Sequence, residues 1–248
     1  MSDSLVIIPT YNEKENIEKM IRKVFSLSVP FHVLIVDDGS PDGTADIVKN
    51  LQKEFPDNLF IEERKGKQGL GTAYIHGFNW ALSRRDSFGG KIYEYIFEMD
   101  ADFSHSPEDL IRLREACVNG ADVAVGSRYV KGGSVKNWTM DRIILSYFAS
   151  LYVKTILWIN INDTTAGFKC YRKKVLETID FDKIKFTGYA FQIEMKYTAY
   201  KLGFKVVEVP IIFKDRTEGI SKMSMGIFKE AFWGVLQMKF KKVQSRKY

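Results

Sequence analysis

A chain of 248 residues with 45% hydrophobic and 27% charged residues can bury a sizeable core, which excludes a globally disordered protein and fits one large domain. A formal net charge of +6 favours anionic partners such as nucleotides, phosphates or anionic lipid. No run of about 18 apolar residues occurs, so no conventional membrane span is expected; the richest segment, 143–161, is broken by Ser146, Lys154 and Asn160. The opening MSDSLVIIPTYNEKEN does not read as a signal peptide, because its apolar run is short, no basic leader precedes it and Pro9 interrupts it. Cys117 and Cys170 have no metal-ligand spacing and read as free thiols in a reducing compartment.

Strands and helices alternate. Residues 5–8 (LVII) form a short continuous apolar strand, and 12–25 have helical spacing with Ile17, Met20, Ile21 and Val24 on one side. A second strand, 31–36 (FHVLIV), runs into Asp37, Asp38, Gly39 and Ser40. The spacing then predicts a helix over 44–55, a strand over 59–62, a helix over 70–82 and a strand over 93–99. Pro107 suits the first turn of another helix with Ser106 as its N-cap, and 121–126 (ADVAVG) is a further strand. Continuous apolar strands alternating with helices predict an α/β fold, a mainly parallel sheet covered on both faces. Beyond Arg128 a polar glycine loop leads into helices over 140–158, 191–200 and 227–240, with a strand over 205–213. This part reads as an extension of the same domain that supplies a second substrate.

In open α/β sheets ligands bind beyond the carboxyl ends of strands. Three polar clusters fall there: Pro9 to Glu13, Asp37 to Ser40, and Asp100-Ala101-Asp102. Asp-Gly-Ser alone is a common turn, and Gly39 and Gly43 permit tight turns. Asp100 and Asp102 are harder to explain as a solvated loop, because like charges at the end of an apolar strand repel unless a cation or donors compensate. Hard oxygen ligands suit Mg2+ or Mn2+, which retain waters and bind substrate phosphates. His105 could join this shell or be a helix-start histidine.

The ordered blocks IPTYNE, VDDGSPDGT, GLGTAY, MDADFSHSPE and GSRYVKGG resemble the inverting GT-A glycosyltransferases of glycosyltransferase family 2. Within these the chain is most similar to the polyprenyl-phosphate (dolichol-phosphate) mannose synthase group, through NWTMDRIILS, DTTAGFKCYRKKVL, GYAFQIEM and VPIIFKDRTEGISKM. The resemblance implies a Rossmann-like GT-A domain, with about 1–127 binding the nucleotide sugar and about 128–248 serving the acceptor. It implies transfer of mannose from GDP-mannose to a dolichyl or undecaprenyl phosphate, with inversion. By that resemblance Pro9, Tyr11 and Glu13 hold the guanine and ribose region, and Asp38 contacts the nucleoside. Asp100 and Asp102 bind a divalent metal (Mg2+ or Mn2+) and the diphosphate. Ser104 stands where relatives often carry a glutamine ligand, and 146–150 (SYFAS) replaces a common S-R-x-x-N pattern.

A lipid phosphate is ionised at neutral pH, so a general base is not obligatory, and the site must instead gather two anions and aim them. Arg128, Arg142 and Arg216, with Lys222 behind them, are the candidate cations, since arginine's planar fork suits phosphate oxygens. Asp102, Arg128 and Arg216 are thus the expected catalytic residues. Phe191, Gln192 and Glu194 belong to a segment near the reacting sugar, with Gln192 touching substrate; amphipathic spacing alone would leave Glu194 exposed. Segments 148–159 and 227–242, with the basic Lys239, Lys241, Lys242, Arg246 and Lys247, suit peripheral contact with the cytoplasmic face of a membrane or ordinary packing. Alternatives are a UDP-glucose or UDP-GlcNAc donor, a glycan hydroxyl acceptor, or a non-catalytic nucleotide-sugar-binding subunit. No nucleic-acid partner is expected, because the basic residues follow no reader motif.

Overall fold

The computed structural model describes residues 2–84, 92–215, 225–243 and 245–246, with 225–231 as backbone. Arg216 and Lys222 lie outside the described residues. The order along the chain is β1 (Ser4–Thr10), α1 (Ile17–Phe25), β2 (His32–Asp37), α2 (Thr44–Gln52), β3 (Leu59–Glu63), α3 (Leu70–Ser83) and β4 (Tyr95–Glu98). There follow α4 (Asp109–Val118), β5 (Val123–Ser127), β6 (Ser134–Lys136), α5 (Met140–Leu157), β7 (Lys169–Arg172), α6 (Lys173–Thr178), α7 (Tyr189–Lys201), β8 (Val206–Pro210), β9 (Ile212–Lys214) and α8 (Met225–Phe240).

The seven-stranded sheet has the order β3-β2-β1-β4-β7-β5-β8, and β6 pairs with β9 in a small second sheet. All pairings are parallel except those of β7, which runs antiparallel between β4 and β5. Helices cover both faces, as the strand sequences demand. Val6 and Ile8 of β1 pack with Ile17, Met20, Ile21 and Val24 of α1, while Leu5 and Ile7 face Tyr74 and Phe78 of α3. A third apolar cluster joins α5, α7 and α8 through Val153, Ile193 and Val235.

α3 approaches β1 closely at Gly77, where an added Cβ would lie 2.7 Å from Cγ2 of Ile7. Ile7 is β-branched and fully buried, so it cannot yield by changing rotamer. Gly77→Ala is therefore expected to destabilise the protein by about 1–3 kcal/mol through overpacking, despite alanine's better helix propensity. A urea denaturation midpoint at or above wild type would contradict this.

Three expectations need correction. The first helix starts at Ile17, not Asn12, because the intervening backbone donors are taken by the β2–α2 loop. Asn12 N donates to Ser40 Oγ, Glu13 N to Thr44 Oγ1 and Lys14 N to Asp42 Oδ2. Ser106 does not cap α4; its hydroxyl donates to the Glu108 carboxylate, and the helix begins at Asp109. The strand expected over 205–213 divides at Ile211. Pro210, with no N–H to donate, ends β8 at the sheet edge, and Ile211 bonds Ser127 and Ser134 before β9 pairs with β6.

Candidate active site

The strand order reverses between β1 and β4, and the carboxyl ends of β1, β2 and β4 open on that side. At the β1–β2 end, Asp37 is almost wholly buried and accepts from Thr10 Oγ1 (2.9 Å), Ser40 N (2.8 Å) and Ser40 Oγ (2.6 Å). It braces the loop. Asp38 meets Arg64, with Nε and Nη2 at 2.7 and 2.5 Å from Oδ1. Arg64 also donates to Thr72 Oγ1 of α3 (2.8 Å). The Lys67 ammonium stands 5.4 Å from the centre of the Tyr11 ring. Gly39 is in the left-handed region (φ 70°), and a Cβ there would lie 3.1 Å from the Gly66 nitrogen, so only glycine fits this loop contact without strain.

At the end of β4, Asp100 is partly exposed, and the buried Tyr74 hydroxyl lies 3.4 Å from its Oδ1. Asp102 is buried and its Oδ1 accepts from Ser104 N at 3.0 Å. Between them Phe103 has φ 58°, a left-handed conformation costing about 1–3 kcal/mol for a bulky residue and concentrated at functional sites. His105 is stacked on Phe168 and edge-on to Phe213. Burial pushes its pKa down to about 4, so the ring is neutral at neutral pH. Its Nδ1 is buried, has no hydrogen-bond partner and lies 3.9 Å from Asp100 Oδ2.

These residues border a cleft of about 540 Å³. Its polar end carries Asp100, Asp102, Ser104, Arg128, Arg142 and Gln192; its apolar walls include Leu145, Phe148, Tyr152, Ile193 and Phe232. Arg128 forms a fork on Asp163, with Nε–Oδ2 2.7 Å and Nη2–Oδ1 2.6 Å, and Nη2 also donates to Thr165 Oγ1. Burial alone would lower the Arg128 pKa, but Asp163 outweighs it and raises it. Arg142 donates to Asp215 Oδ2 (2.8 Å) and stacks 4.1 Å from the centre of the Trp138 ring. The Trp138 Nε1 and Gln192 Nε2 atoms are buried donors without partners. Two arginines and two unsatisfied donors on one cleft make it a receptor for oxygen-rich anions.

Pro9, Tyr11, Glu13 and Asp38 gather at the neighbouring β1 and β2 ends instead and do not line this cleft. Glu194 is buried, contrary to its amphipathic reading, because α7 is packed on every side. Its carboxylate accepts from Lys185 N and Phe186 N and pairs with Lys241, so it ties a loop to the end of α8. Sequence reasoning missed Arg64, Trp138, Asp163 and Thr165. Arg64 stands in the basic, glycine-rich run RKGKQGLGT, and Asp163 opens the quoted DTTAGF block, so both had a local signal.

Among the described residues no helix is long and apolar enough to cross a membrane. α5 nevertheless exposes Met140, Ile144 and Phe148, and Trp158 beyond its end is 80% exposed with the Lys239 ammonium 3.9 Å from its ring centre.

The model of the family described as "Glycosyl transferase family 2" matches residues 5–180. A polyprenol monophosphomannose synthase from Mycolicibacterium smegmatis is 46% identical over 237 residues, covering 94% of this chain and 87% of that protein. An undecaprenyl-phosphate mannosyltransferase from Micrococcus luteus is 44% identical over 236 residues, covering 93% of each. In fold the chain is similar to glucosyl-3-phosphoglycerate synthase from Mycobacterium tuberculosis, solved with Mn2+, UDP and glucosyl-3-phosphoglycerate (TM-score 0.68, 15% identity, 95% of this chain and 79% of that one). It is also similar to a mannosyltransferase from Pyrobaculum calidifontis solved with GDP-Man and Mn2+ (TM-score 0.59, 17% identity, 96% of this chain and 63% of that one). Sequence and fold agree: the chain belongs to glycosyl transferase family 2 and is a glycosyltransferase with the GT-A architecture.

Proposed function

We propose that this enzyme transfers mannose from GDP-mannose to a polyprenyl phosphate, with inversion at the anomeric carbon. The observation that carries the reading is the two-ended cleft: carboxylates and arginines at one end, aromatic and aliphatic walls at the other. A small polar acceptor would gain nothing from the apolar end, whereas a phosphate on a hydrocarbon chain matches both. The names of the relatives at 46% and 44% identity support the same donor and acceptor classes.

The residues fit a divalent cation. Asp100 and Asp102 supply carboxylate oxygens, Ser104 borders the same cleft, and the unpartnered Nδ1 of His105 adds a neutral nitrogen beside Asp100. Among the described residues no cluster of three or more His, Cys, Asp or Glu forms a complete cage, which suits Mg2+ or Mn2+ sharing its shell with water and substrate phosphates. When bound, such an ion offsets the diphosphate charge and stabilises the departing nucleotide.

The chain's own residues do the positioning. Pro9, Tyr11, Glu13 and Asp38 flank the nucleoside, so that 1–127 serves the donor and 128–248 the acceptor. Arg142, with its planar face set on Trp138, and Arg128, held in the Asp163 fork, draw the lipid phosphate toward the sugar. A phosphate oxygen attacks the anomeric carbon as the bond to the nucleoside diphosphate breaks, and no proton has to be removed from the nucleophile. Arg216 and Lys222 belong to the same acceptor-side group. The exposed apolar face of α5, with Trp158 and Lys239, rests on the cytoplasmic face of the membrane that holds the acceptor.

The test is a transfer assay on anionic vesicles carrying polyprenyl phosphate, with Mg2+ or Mn2+ and labelled GDP-mannose, UDP-glucose or UDP-GlcNAc in parallel. Metal-dependent label in the lipid of floated vesicles, from GDP-mannose alone and with the protein co-floating, is the expected result. Lipid label from a UDP-sugar would overturn the donor. Folded, nucleotide-binding protein that labels no lipid would overturn the acceptor.

A further inference from the structure

β4 and β7 pair so that Glu98 faces Lys169 directly beneath the cleft. Both side chains are wholly buried, with Nζ 3.1 Å from Oε2, and the Tyr171 hydroxyl donates to Oε1 of Glu98. The Lys169 ammonium also donates to Oε1 of Gln192. A buried ion pair is rarely more stable than a well-packed apolar pair, so stability does not account for this one. What it does chemically is select an orientation. An ammonium has donors and no acceptor, so it can face only the oxygen of the Gln192 amide. The Nε2 end is then turned away from Lys169. Gln192 is 2% exposed and borders the cleft, and its Nε2 is buried without a hydrogen-bond partner. Without Lys169 the amide could rotate and present an oxygen, which would repel a phosphate. Asp100 lies within electrostatic reach of Lys169, so the oriented donor serves the carboxylate end of the cleft.

We propose that Lys169, anchored by Glu98, is a positioning residue that fixes the Gln192 amide so that Nε2 donates to an acceptor oxygen of the bound sugar nucleotide. That oxygen belongs to the sugar or to the diphosphate, and the proposal rests on the donor reading above. The buried ammonium also withdraws charge through the amide and strengthens the Nε2–H donor.

The experiment compares wild type with Gln192→Met, with Glu98→Gln/Lys169→Met and with the triple variant. Donor kcat/KM and the affinities for GDP and GDP-mannose are measured, with melting temperature as the control for folding. The double variant leaves no unpaired buried charge, and Gln192→Met nearly preserves volume. Each is expected to lower donor kcat/KM by about tenfold to a hundredfold, the loss of one strong hydrogen bond. The triple variant should fall no further than Gln192→Met, because the pair acts through that amide. Affinity lost for GDP-mannose but kept for GDP assigns the oxygen to the sugar; affinity lost for both assigns it to the diphosphate. Either a folded double variant or Gln192→Met with wild-type kcat/KM and affinities would overturn the proposal. If the double variant does not fold, Gln192→Met still decides whether Nε2 is used. Wild type that binds no GDP-mannose would instead overturn the donor reading itself.

Discussion

Asp102→Ala is expected to abolish metal-dependent transfer while the protein stays folded. Asp102 stands at the end of β4, where the sheet order reverses, and its carboxylate borders the cleft. Removing one of the two carboxylates proposed to hold the cation forfeits several kcal/mol of charge stabilisation at the departing diphosphate, or on the order of 10³-fold or more in kcat. The structural loss is small by comparison. One hydrogen bond disappears, that from Ser104 N to Oδ1, worth about 1 kcal/mol. For a chain of this length that lowers the melting temperature by about 2–4 °C. Transfer assays at saturating Mn2+ beside a thermal melt separate the two effects. A variant that keeps near-wild-type turnover would remove Asp102 from the mechanism.

Asp163→Ala is expected to produce the largest loss of stability, about 3–5 kcal/mol, because it strands a buried guanidinium. The Asp163 side chain is fully buried and Arg128 nearly so. Burial pushes the Asp163 carboxyl up, but Arg128 outweighs it and holds the carboxyl below its usual range. A depressed carboxylate pKa makes its contribution to stability complete above the unfolded value of about 4, and that contribution is lost as pH falls through the folded value. Wild type should therefore lose, on acidification below about pH 4, stability that Asp163→Ala already lacks at pH 7. Urea denaturation at the two pH values checks this. Asp163→Ala/Arg128→Met should recover much of the stability at pH 7, since no unpaired charge then remains, while transfer stays impaired. A single variant with wild-type stability would show that the fork does not hold Arg128.

The parts of the fold legible in the sequence are those set by local periodicity. The apolar stripe of α1 and the unbroken strand of β1 each report on a few neighbouring residues. β7 was not legible. Lys169-Cys170-Tyr171-Arg172 is short and half polar, and its place between β4 and β5 is fixed by partners far along the chain. The site shows the same division. Asp100, Asp102, Arg128 and Arg142 announce themselves by charge at strand ends and loops. The Asp163 partner of Arg128 lies 35 residues away, and neither spacing nor composition joins the two. Glu194 misled because helical periodicity assumes one solvated face, whereas α7 is enclosed all round.

The position of β7 also governs how the protein can be made. β4 and β5 are complete by residue 127, yet they never touch, because the strand that joins them is supplied by residues 169–172. A nascent chain halted before that point carries two partial sheets, each with an open inner edge able to pair with the wrong partner. Closure of the sheet must wait on a contact between distant segments, which slows folding relative to a sheet assembled in chain order. Synthesis past residue 172 is thus the commitment step, and truncations on its two sides should differ sharply in solubility.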